Sequence, residues 1–112
     1  MRPLRLNRRL TLEAAQRVPD GAGGYSETWV TQGEVWAQVQ ASTGRERAGE
    51  ELGVSTVRYK IVVRGAPFGA PSRPTSEQRF REGTRIFRIL AVAERDPEGR
   101  YLTCFATEET VA

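Results

Sequence analysis

The sequence predicts an all-β protein, a small antiparallel β-barrel or sandwich of about six strands. Three observations lead there. Apolar residues alternate at period two along most of the chain. Clusters of glycine, proline and aspartate that favour turns recur every ten to twenty residues. No stretch carries the 3.6-residue apolar period of a convincing helix. Residues 1–112 are expected to form a single β-barrel domain, since this length suits one core without disulfide staples.

The first strand is expected over about residues 8–18, where Leu10, Leu12 and Ala14 alternate with Thr11, Glu13 and Ala15. Pro19-Asp20-Gly21-Ala22-Gly23-Gly24 is a turn, because glycine tolerates positive φ and aspartate caps its own backbone. A short segment ends at Trp29 and Val30, and a separate second strand carries Val35, Ala37, Val39 and Ala41 on one face. Trp36, Gln38 and Gln40 occupy its other face, which makes Trp36 either a partial cover for a second apolar layer or an exposed contact residue.

Val54 to Arg64 is the clearest strand, with Val57, Tyr59, Ile61 and Val63 on one side. Thr56, Arg58, Lys60, Val62 and Arg64 lie on the other, the alternation of a sheet with one wet face. Gln78–Arg81 and Thr84–Ala93 read as a hairpin turning at Glu82-Gly83, its core side supplied by Phe80, Ile86, Phe87, Ile89, Leu90 and Val92. Asp96-Pro97-Glu98-Gly99 has the proline and glycine placement of a type I turn. The closing strand starts at Tyr101, with Leu102, Cys104 and Ala106 on one face and Tyr101 and Phe105 on the other.

Two long loops interrupt this pattern. Residues 42–53 are polar, punctuated by Gly44, Gly49 and Gly53, and carry Arg45, Glu46, Arg47, Glu50 and Glu51, so a mobile loop is expected. Residues 65–77 begin with three prolines and two glycines within 65–75, which predicts an extended, stiff loop.

Composition narrows the function. The chain has no histidine and one cysteine, Cys104. That removes the commonest general base, the histidine-activated nucleophiles, an internal disulfide and most zinc sites. Cys104 lies inside a strand pattern and reads as a small buried hydrophobe. Glu50-Glu51 and Glu108-Glu109 are adjacent pairs whose side chains diverge, so they do not form a glycosidase dyad. Gly21-Ala22-Gly23-Gly24 has no following lysine at phosphate-loop spacing. No enzymatic role, metal or cofactor is expected. No apolar run reaches the length of a membrane helix and no signal peptide is evident, so no membrane partner is expected.

The charge, +3 from seventeen basic and fourteen acidic residues, is unevenly spread. Residues 1–9 carry +4 and residues 54–93 carry +6, while residues 10–42 and 94–112 each carry −3. A chain basic at its start and acidic at its end suits association with copies of itself or with neighbouring rings. Nucleic-acid binding is the alternative: Arg58, Lys60 and Arg64 share a strand face, and Arg79, Arg81, Arg85 and Arg88 lie in the next hairpin. Tyr59, Phe80 or Tyr101 would then stack bases. Exposed strand arginines also serve simply to keep a sheet soluble and its edges unpaired.

The order of these features resembles the head–tail joining, head-closure or stopper proteins of tailed bacteriophages. The matching elements are Leu6-x-Arg8-Arg9-Leu10-x-Leu12, the Asp20–Gly24 turn, Trp29 ahead of Trp36-Ala37-x-Val39, and the polar Gly44-Arg45-Glu46 loop. They continue through Tyr59–Arg64, Thr84–Ile89 and Tyr101–Cys104, and together span about residues 4–108. Gene-transfer agents and prophages use similar parts. The resemblance implies a β-barrel protomer in a homo-oligomeric ring of six or twelve copies, part of the virion and assembled in the bacterial cytoplasm. It implies contacts with a portal or adaptor protein and with a tail terminator or tail-tube protein, and packaged double-stranded DNA passing through the channel. On this reading Arg45, Glu46, Arg47, Glu50 and Glu51 face the channel, Trp36, Pro67, Phe68, Pro71 and Arg73 make ring or partner contacts, and the 65–77 loop reaches a neighbouring ring with Phe68 as its anchor. Alternatives are a tail-terminator or tail-tube component, or a free-standing nucleic-acid-binding barrel.

Overall fold

The computed structural model describes residues 3–42 and 57–109. Six strands follow in order: β1 (Arg8–Pro19), β2 (Tyr25–Ala41), β3 (Arg58–Arg64), β4 (Arg79–Glu82), β5 (Arg85–Glu94) and β6 (Tyr101–Glu109). They form one sheet in the order β1-β2-β3-β6-β5-β4, antiparallel throughout, which closes into a ring. The ring is uneven. β1 and β2 pair along their whole overlap, whereas β1 and β4 meet only through Thr11–Arg81, Leu12–Phe80 and Glu13–Arg79.

Inward residues alternate along each strand, as the period-two pattern requires. Leu10, Leu12, Ala37, Ile61, Val63, Phe80, Phe87, Ile89, Leu102, Cys104 and Ala106 form the core. The rings of Tyr59 and Phe87 pack in a T-shaped pair with centroids 5.1 Å apart, a favourable aromatic geometry.

β2 is one strand of 17 residues, where the sequence suggested two. The interruption is a bulge. Leu12 faces Gly33 and Glu13 faces Thr31, leaving Gln32 as the extra residue. Gly33 takes φ +151°, which a side chain disfavours, so the chain bends without breaking its ladder. A second bulge sits in β5 between Ile89 and Ala91. It turns Leu90 outward, 48% exposed, correcting the expectation that Leu90 joins the core. On β3, Val62 lies on the side expected to be wet but is buried. The N-terminal segment runs over this side of the sheet: Arg5 N donates to Gln38 Oε1 at 2.9 Å, and Gln38 is the β2 partner of Val62. Val57, expected on the core side, is exposed and precedes β3.

Beyond Glu13 the first two strands leave the barrel. Residues 14–19 and 25–30 pair only with each other, because β4 reaches no further than Glu13 and β3 joins β2 only from Ala37. They form a two-stranded arm that extends a molecule measuring 55 × 39 × 24 Å. Asp20 caps its turn, accepting from Ala22 N and Gly24 N at 2.8 and 3.0 Å. These amide hydrogen bonds hold the Asp20 carboxyl below its ordinary pKa.

The proline-rich connection after β3 is folded into successive turns; it is not extended. Ala70 N donates to Pro67 O and Arg73 N to Ala70 O, both at 3.0 Å. Pro71 occupies the second position of the latter turn, where its fixed φ fits. Gly65 begins the segment pressed against the β5–β6 turn, its N donating to Arg100 O at 2.7 Å. Among the described residues no helix is long and apolar enough to cross a membrane.

Candidate functional site

Three groups of polar or exposed side chains stand apart from the core. The first closes one mouth of the barrel. Arg8 at the start of β1 makes a two-pronged contact with Glu82 at the end of β4, with Nε 2.7 Å from Oε2. Arg85 Nε donates to Glu108 Oε2 at 2.8 Å, and Tyr59 Oη donates to Glu108 Oε1 at 3.2 Å. The Arg8 hydrogen bond holds Glu82 below the usual carboxylate range, and the Arg85 hydrogen bond does the same for Glu108. The network joins three strand ends and a turn that lie far apart in sequence.

The second group fixes the root of the arm. Glu13 is 5% exposed and receives Arg79 Nε at 2.7 Å and Arg81 Nε at 2.9 Å. Burial acts to raise its pKa, but the hydrogen bonds and positive charges of the two arginines together outweigh it and the net displacement is downward. The Arg79 guanidinium also lies 4.0 Å from the centre of the Trp29 ring, tying β4 to the arm's second strand. Further out, Arg17 stacks over Tyr25 at 5.4 Å.

The third group lies at the end of the barrel from which the arm leaves. Trp36 is 54% exposed beside a groove of about 240 Å³ whose walls include Arg64, Gly65, Ala66 and Ser72. Phe68 is 83% exposed, with the Arg73 guanidinium 3.8 Å from its ring centre. Arg73 Nη1 donates to Ala66 O at 2.8 Å, fixing that stack. Pro67, Phe68 and Arg73 border a shallow groove with Glu94 and Glu98. Four of the five residues expected to make ring or partner contacts, Trp36, Pro67, Phe68 and Arg73, therefore border two grooves that share Gly65 and Ala66. Pro71 is exposed in the turn between them.

The basic strand face is present but divided. Arg58, Lys60 and Arg64 are exposed, with the buried Val62 between them. The hairpin arginines are committed elsewhere: Arg79 and Arg81 to Glu13, Arg85 to Glu108, and Arg88 to Glu109 at 3.4 Å. Phe80 is buried and Tyr59 packs on Phe87, so neither ring is offered for base stacking. The loop candidates Arg45, Glu46, Arg47, Glu50 and Glu51 lie outside the described residues.

The described residues present no positive feature of an enzyme. Burial pushes the Cys104 thiol up to about 12, opposite to the activation a nucleophile needs. No group of three metal-binding side chains occurs among the described residues. The arm-root carboxylate and the mouth network escaped sequence reading because each joins residues more than twenty positions apart. The alternation of Arg79, Phe80 and Arg81 opposite Glu13 was the only available signal.

The fold is a closed, uneven ring of six antiparallel strands with a projecting arm, and Trp36 and Phe68 stand exposed at the end from which the arm leaves. The family model for phage head completion proteins matches residues 1–109, and the chain belongs to that family. It is similar to a chain in the virion of a native gene transfer agent particle, with 65% identity, a TM-score of 0.82, and coverage of 99% of this chain and 100% of that one. The solution structure of a protein from Shigella flexneri 2a shares the fold at a TM-score of 0.70 and 22% identity, covering the whole of both chains. No curated protein matches the chain.

Proposed function

We propose that this protein is the ring-forming stopper of a phage-like head–tail connector, joining a portal or adaptor protein to the tail and retaining packaged DNA. The observation that carries this reading is the match to head completion proteins across residues 1–109, together with 65% identity to a chain of a gene transfer agent virion. A structural role in the virion fits a site made of exposed aromatics, ion-paired arginines and an inert cysteine. Copies of the chain form a ring of six or twelve, with double-stranded DNA in its channel. Residues 42–53, with Arg45, Glu46, Arg47, Glu50 and Glu51, face that channel, and Trp36, Pro67, Phe68, Pro71 and Arg73 provide a contact surface between neighbours.

The test is electron microscopy of particles from a strain lacking the gene, with packaged DNA quantified. Tailless heads that have lost DNA, beside normal free tails, are expected. Full, stable heads beside overlong or ragged tails would overturn head closure and assign the chain to the tail terminator. Substitution of Phe68 by serine is expected to weaken assembly while leaving the melting temperature of the isolated chain unchanged.

A further inference from the structure

The arm is an anomaly in the free chain. A two-stranded ribbon with both faces in water is marginally stable at best, and both of its edges offer unpaired backbone groups to any passing strand. Yet the arm is held in a fixed direction at its root, by a buried carboxylate, two arginines and the stacked Trp29. Its sides also differ. Directly opposed residues share a side, so Ala15–Trp29, Arg17–Glu27 and Pro19–Tyr25 form one face. Ala14–Val30, Gln16–Thr28 and Val18–Ser26 form the other, which carries no charge. The first face ends in Tyr25, 64% exposed, with Arg17 stacked on it.

At the same end of the barrel, Phe68 and Trp36 stand exposed with Glu94 and Glu98 beside them. Neither Arg17 nor either of these glutamates makes an ion pair among the described residues. The chain therefore carries two different exposed surfaces whose composition is that of interface centres, tyrosine and arginine on one and phenylalanine and tryptophan on the other. Arg17 on the first is opposite in sign to Glu94 and Glu98 on the second, and Glu27 on the first is opposite in sign to Arg64 and Arg73 beside the second. Different, complementary patches on one chain are what a head-to-tail contact requires, and repetition of such a contact closes a ring.

We infer that the arm of one copy docks through its Tyr25–Arg17 face onto the Phe68–Trp36 surface of the next copy, with Arg17 answering Glu94 and Glu98. This inference rests on the ring-forming reading above and names the occupant of its contact surface. The arm is then the subunit clasp, and its fixed root sets the angle between copies.

Two experiments on assembled particles test it. Particles carrying Ala15→Cys, on the docking face of the arm, with Ser72→Cys, treated with a short bis-maleimide, are expected to yield a ladder of multiples of the chain, which neither single variant gives. The native Cys104 is buried and does not contribute. Monomer alone, or a cross-link to a different particle protein, overturns the inference. Separately, Arg17→Glu is expected to lower particle yield about tenfold by setting like charges against each other. Adding Glu94→Arg and Glu98→Arg in the same chain is expected to restore most of it. A triple variant that melts like the wild type yet stays unassembled overturns the pairing; if that variant does not fold, the cysteine pair decides. Deletion particles that remain full and stable would sink the stopper reading itself. Tailless, empty deletion particles without a cysteine ladder would sink only the clasp.

Discussion

Replacing Glu13 by alanine removes one carboxylate and leaves two guanidinium groups facing each other at the root of the arm. The side chains of Glu13 and Arg79 are 6% and 15% exposed, whereas Arg81 is 43% exposed. Breaking a buried ion pair costs about 3–5 kcal/mol, and an exposed pair contributes about 0–1 kcal/mol. Arg79 keeps its stack on Trp29, so the loss belongs between these limits, at about 2–3 kcal/mol. In a domain of this size that is a fall in melting temperature of roughly 10 °C. Arg81→Ala should cost less than about 1 kcal/mol, because its side chain already meets water. The sign with pH follows from the lowered pKa of Glu13. Its contribution is complete above the unfolded carboxylate value of about 4.3 and is lost as pH falls through the lower native value. Urea unfolding of Glu13→Ala, Arg81→Ala and the wild type at pH 7 and at low pH measures both effects, and amide exchange in residues 14–19 and 25–30 reports the arm. Equal stabilities for Glu13→Ala and Arg81→Ala, or unchanged arm exchange, would refute the reasoning.

Three other outcomes are expected. In Gly65→Ala a new Cβ would overlap the Gly99 carbonyl oxygen, so the two segments must part, and denaturant unfolding should show a loss of at least about 2 kcal/mol. Glu77 holds φ +78°, a strained backbone for a side chain, so Glu77→Gly should gain about 0.5–1 kcal/mol in the same measurement; a loss would mean that its carboxylate has a partner that matters. Glu82 and Glu108 both have lowered pKa values in the barrel mouth, so stability should decline as pH falls below about 4.3, and Glu108→Gln should make that decline shallower.

The strands were legible because period-two alternation is a local property. Ile61 and Val63, or Leu102 and Cys104, announce their inward face within four residues. What broke the reading was parity. A single extra residue at Leu90 reverses which side follows, and nothing in Ile89-Leu90-Ala91 advertises a bulge. Gly33 did advertise something, but a glycine between two alternating runs reads equally well as an end or a bend. Val62 was misplaced because the N-terminal segment, whose Arg5 N reaches its β2 partner Gln38, lies far from it in sequence. The exposure of Trp36 and Phe68 was legible, since a large aromatic on a polar strand face or in a proline-rich loop has no core to enter. The arginines were not. Arg79 and Arg81 look like a basic patch until the fold brings Glu13 between them, 66 and 68 residues away in sequence. A charge count along the chain cannot see neutralisation across the barrel.

The short pairing of β1 with β4 also dictates the order in which the chain must fold. β1 and β2 form a hairpin, and β4 with β5 forms another, from contacts within a few tens of residues. The seam between them joins residues 66–74 apart through only three ladder positions, flanked by Arg8–Glu82 on one side and Glu13 with Arg79 and Arg81 on the other. Loop closure over that distance carries the largest entropic cost and the smallest immediate return, so it comes last. The same seam is the first to open when the protein is stressed. The five side chains at its ends act as rivets: they add little to the core, but they decide whether six strands make a closed ring or an open sheet with two free edges.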